Sequence, residues 1–82
     1  MNTLTTEIRS ELVDELISLY CNWRTQCAEV TAAYRRCSSA EPTERALAFA
    51  AYLAALDREE SAARDYASQV ELIMDRETGP AG

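Results

Sequence analysis

The chain has 82 residues, 48% of them apolar and 27% charged, with a formal net charge of −6. That length allows one domain with a modest core, and two Gly and two Pro are too little turn punctuation for an all-β fold. Eight Arg against fourteen acidic residues argue against a face that displaces counterions from nucleic acid or an anionic membrane surface.

Residues 1–5 read as a disordered tail. Thr5 or Thr6 is suited to cap a first helix over 6–37, because a Thr hydroxyl accepts from the unpaired N–H groups of the first turn. Glu7 and Glu11 follow, where the helix dipole favours negative charge. Val13, Leu16, Tyr20, Trp23, Cys27, Val30, Tyr34 and Cys37 then alternate steps of three and four, which is a heptad seam. Leu12, Leu19 and Ala33 widen that stripe on one flank.

The sequence Cys37-Ser38-Ser39-Ala40-Glu41-Pro42 marks the break, with a turn expected over 38–41. Pro42 fits the first turn of a second helix over 42–77, since its missing N–H would be unpaired there anyway. The second seam reads Ala46, Phe49, Leu53, Leu56, Glu60, Ala63, Ala67, Val70 and Met74. Thr78-Gly79-Pro80 stops the helix, and 78–82 reads as a C-terminal tail. The expected fold is all-α: one hairpin domain over 6–77, two long antiparallel helices dimerising into a four-helix bundle. Folding at Ser39–Ala40 makes the numbers of facing residues sum to about 80. Tyr34 then meets Ala46, Val30 meets Phe49 and Trp23 meets Leu56.

Residues 46–56 (ALAFAAYLAAL) are apolar on nearly every side of a helix. Such a helix has to be covered on more than one side, and the chain has only one other long helix. The uncovered flank is expected to comprise Leu12, Leu19, Ala48, Ala51, Tyr52, Ala55, Tyr66 and Ile73. Its expected occupant is a second copy (homodimer or higher) or another helical protein. The acidic open end and the more basic turn end suggest that paired copies lie with their turns at opposite ends. Glu60, alone among apolar seam positions, is expected to pair with Arg24 or to accept from a Tyr hydroxyl, because a buried unpaired carboxylate costs several kcal/mol.

No catalytic site emerges. The chain has no His, which removes the commonest general base and metal ligand, and both Gly lie in the last four residues, so there is no phosphate loop. Asp57, Glu59, Glu60 and Glu29 are the candidates for a carboxylate metal site in a ferritin-like bundle. Acidic pairs on helices more often face solvent, so no metal or cofactor is assigned. Cys21, Cys27 and Cys37 match no zinc pattern and form no disulfide framework. They read as reduced thiols of a cytoplasmic protein, with Cys37 placed to cross-link two chains under oxidation. The first six residues have no basic region of a signal peptide, and the apolar run is too short to span a membrane.

In size and hairpin plan the chain resembles the small secreted helical hairpins of the WXG family. The likeness is architectural. Trp23-Arg24-Thr25 lacks the family's glycine, Trp23 lies mid-helix, and after Tyr66 the acidic Glu71 stands one place beyond the family's tail signal. No residue role is carried over. The expected function is that of a non-enzymatic interaction or structural module. A metal-binding bundle, or one subunit of an obligate heteromeric pair (an adaptor, antitoxin-like or secretion partner), is the alternative.

Overall fold

The computed structural model describes residues 3–78 and consists of two helices, α1 (Thr3–Ser39) and α2 (Arg45–Thr78), packed antiparallel. Its principal dimensions are 64 × 22 × 12 Å. An α-helix with side chains is about 10–12 Å across, so the molecule is one layer thick. The radius of gyration, 18.6 Å, exceeds the roughly 12 Å of a compact chain this long.

The helix boundaries depart from the capping signals. α1 already runs at Thr3, and its backbone continues through Thr5 and Thr6. At its other end it extends through Ser38 and Ser39. The Ser39 hydroxyl donates to the carbonyl of Arg35 (3.0 Å) and lies 3.5 Å from that of Arg36, so it bonds back to the last turn rather than ending it. Pro42 lies outside the α-helix. It takes the second position of a turn closed by the Glu44 N–H donating to the Glu41 carbonyl at 2.9 Å, where its preset φ is favourable. The Glu44 carbonyl then accepts from the Ala48 N–H at 3.0 Å, which makes Glu44 the N-cap of α2. α2 ends at Thr78; the expected Gly79 cap, like residues 1 and 2 of the expected tail, lies outside the described residues.

The later turn, over 40–44 instead of 38–41, moves the register. Tyr20 meets Tyr66 (centroids 5.6 Å apart), Tyr34 meets Tyr52 (5.8 Å) and Arg9 meets Glu77 (3.1 Å). The numbers in each pair sum to 86, against the expected 80, a shift of more than one helical turn.

The shift comes with a rotation of both helices. The buried and half-buried positions of α1 follow Leu12, Leu16, Leu19, Trp23, Gln26, Val30, Ala33 and Cys37. Those of α2 follow Ala48, Tyr52, Ala55, Glu59, Ala62, Tyr66, Gln69 and Ile73. Both keep steps of three and four. Three of the eight seam residues expected on α1 and six of the nine expected on α2 are therefore exposed: Tyr34 is 58% exposed, Phe49 50% and Met74 60%. Seven of the eight residues expected to await a partner (Leu12, Leu19, Ala48, Tyr52, Ala55, Tyr66 and Ile73) lie in the chain's own seam, and Ala51 is exposed.

Among the described residues only Ala33, Ala55 and Ala62 are buried, at 2–3% exposure. They have no side chain beyond Cβ, so larger residues beside them can interdigitate across the seam. Ala62→Leu overfills this contact and should cost about 1–3 kcal/mol, read as a lower urea midpoint. Ala54→Leu, at an exposed position, should leave the midpoint nearly unchanged.

Candidate interaction face

Three polar side chains occupy the seam, and their contacts explain why it is turned as it is. The Trp23 indole N–H donates to Glu59 Oε2 at 2.8 Å. The Gln69 side-chain amide donates to the Leu12 carbonyl at 3.0 Å, and that of Gln26 to Asn22 Oδ1 at 3.3 Å. The first two cross between helices. All three residues are half-buried, so each keeps part of its hydration and the desolvation cost is small.

Glu59, not Glu60, is thus the inward carboxylate. Glu60 turns outward and accepts from Arg64, one turn along its own helix, at 2.8 Å; the two side chains are 64% and 69% exposed. Arg24 is also exposed. The expected Arg24–Glu60 pair is absent within the chain because both residues sit on the outer edges of the hairpin.

Rings cluster on one flank of the seam. Trp23 and Tyr66 stack with centroids 5.5 Å apart and an interplanar angle of 21°. Tyr20 lies 6.2 Å from Trp23. Further along, Tyr52 lies 5.8 Å from Tyr34 and 6.4 Å from Phe49. The fourteen-residue spacing of the tyrosines on each helix was a usable signal: pairing Tyr20 with Tyr66 and Tyr34 with Tyr52 demands one common register.

The two broad faces of the layer differ. One presents Glu15, Asn22, Glu29, Arg36, Arg58 and Asp65, all exposed, with scattered apolar residues such as Leu47 and Leu72. The other presents Val13, Ile17, Tyr20 and Tyr34 from α1 and Phe49, Leu53 and Met74 from α2, each at least 40% exposed. Half-buried Cys27, Leu56, Ala63 and Val70 fill the trough between these two rows. This open face follows the pattern expected for the hairpin seam. It is more apolar than the seam that formed.

Other chemistry is sparse. Asp57, Glu60 and Glu29 are exposed while Glu59 faces the seam, so these four carboxylates do not converge within one chain. No group of three or more His, Cys, Asp or Glu among the described residues is placed to hold a metal ion. The thiols are unpaired: Cys21 is exposed, and Cys27 and Cys37 are half-buried, Cys37 in the seam. No described helix is long and apolar enough to cross a membrane. Comparison with family models, curated proteins and solved structures finds no match, so function is argued from this surface.

Glu59→Ala leaves the Trp23 indole N–H without its partner and should destabilise the hairpin by about 1–2 kcal/mol, with a change in Trp23 fluorescence. Glu59→Gln keeps an acceptor oxygen and should lose less in the same denaturant titration.

Proposed function

We propose that this protein is a non-enzymatic helical interaction module that works by self-association, two copies laying their open faces together as a four-helix bundle. The observation that supports this reading is the long apolar face, broken by Arg24 and Glu60, on a one-layer molecule. The accessible surface is 6277 Å². A compact monomer of 9.1 kDa exposes about 4,900 Å², so the hairpin has some 1,400 Å² in excess. A typical stable interface takes about 800 Å² from each partner, and obligate homodimers take more. Soluble monomers rarely leave apolar patches beyond a few hundred Å² uncovered.

A second copy suits the face better than a ligand does. The surface is a long shallow trough between two rods, with exposed Tyr, Phe and Ile side chains on its rims and half-buried Cys27, Leu56, Ala63 and Val70 at its floor. Another hairpin has the same width and length, and isologous pairing needs only one surface that complements itself.

Sedimentation equilibrium at micromolar concentration should give twice the chain mass of 9.1 kDa. Phe49→Glu or Leu53→Glu should shift the species to monomer, because each puts an unpaired carboxylate into the apolar face. Leu47→Glu, on the polar side and 77% exposed, should leave the dimer intact. A wild-type species of single-chain mass at hundreds of micromolar would overturn the reading.

A further inference from the structure

The open face carries two charges between its ends, and they decide how two copies fit together. Arg24 interrupts the α1 row between Ile17 and Tyr34, and Glu60 interrupts the α2 row between Leu53 and Met74. They sit within about two residues of the same level of the rod, since their numbers sum to 84 in a register of 86, but on opposite outer edges. They cannot reach each other in one chain. Glu60 holds Arg64 through Oε1 only, and its second oxygen can take another donor.

Two hairpins can lie face to face about a two-fold axis in two ways. With the axis along the helices, the turns share one end and each α1 lies over its partner's α2. With the axis across the helices, the turns lie at opposite ends and each helix lies over its own counterpart. Near full overlap the second arrangement brings Arg24 close to Arg24 and Glu60 close to Glu60, because each lies within about three residues of the middle of its helix. The first sets each Arg24 over a Glu60 of the other copy.

We propose that the second copy docks with both turns at the same end, joined by two inter-chain Arg24–Glu60 pairs. This rests on the self-association reading and adds its geometry. In the middle of the face this sets Tyr20 over Ala63 and Ile17 over Ala67, large residues over small, while nearer the turn Tyr34 falls over Phe49. The arrangement brings Asp14 over Glu71 at the open end and sets the acidic ends together, against the sense suggested by end charges alone. Those groups lie on the solvated rim, where screening leaves little interaction. Arg24 and Glu60 lie among apolar rows that shed water on docking, so their attraction or repulsion counts for more.

The test is charge reversal, read by sedimentation velocity across a dilution series, with circular dichroism to confirm helix content. Arg24→Glu and Glu60→Arg should each weaken the dimer about tenfold or more, since each creates two like-charge contacts. The double variant R24E/E60R restores both pairs with reversed sign and should return the dimer to near wild-type strength. Single variants that dimerise as well as or better than wild type, or a double variant that stays weak, overturn this arrangement while the dimer stands. A wild-type chain that remains monomeric overturns the self-association reading itself.

Discussion

A single layer of two helices can hide one stripe from each, and this chain has two apolar stripes on each helix. Everything else in the structure answers that constraint. The stripe taken inside includes Gln26, Glu59 and Gln69; the one left outside includes Phe49, Leu53 and Met74. On hydrophobic area alone the choice looks inverted. It is acceptable because the seam of a two-helix rod is only half-dry, so its polar groups stay partly hydrated and find partners at 2.8–3.3 Å. A face between two layers would be drier, and there the same residues would cost more.

The number of helices, their antiparallel packing and the surplus of apolar surface were legible in the sequence. The two long three-four patterns and the Ser-Ser-Ala-Glu-Pro break carry that much. Which stripe faces which was not legible. Periodicity reports that a stripe is apolar and says nothing of what covers it. The seam with the fewest polar residues was the natural choice, and most of its α2 half and part of its α1 half proved to be the open face. The deciding interactions are invisible to pattern reading: a Ser39 hydroxyl that prolongs α1, a turn begun by Pro42, and an indole N–H that selects Glu59 over its neighbour Glu60. A few residues of added turn move the register by more than one helical turn, and a rotation of each helix brings Leu12, Leu19 and Ala33 inward and turns Val13, Tyr20 and Tyr34 out, while Leu16, Trp23, Val30 and Cys37 stay in the seam. The tyrosine spacing held the register, but only when the four rings are read as crossing pairs.

In the proposed dimer, the energetics of so thin a molecule tie folding to assembly. Among the described residues, those that are buried are three alanines at 2–3% exposure, and a buried methylene-sized group is worth about 0.8 kcal/mol. Half-buried Leu, Trp and Tyr residues add to this, yet the apolar surface that would normally complete a core faces outward. The exposed Arg9–Glu77 and Glu60–Arg64 pairs add little. A species that buries this face only when associated gains stability with concentration, because association draws on the folded form alone.

Tyr20 and Tyr34 make that tie local. Each touches a ring of α2 across the seam, and each also leaves 43% and 58% of itself on the open face. They are neither core nor surface in one chain; they are the edge at which the inner stripe passes into the outer one. Turning α1 far enough to bury them would carry Leu12, Leu19 and Ala33 outward. It would also break the Trp23–Glu59 contact. The rotation that closes the hairpin is thus the same rotation that sets the width and shape of the trough. The open face is not an addition to a finished fold but the other side of one packing choice.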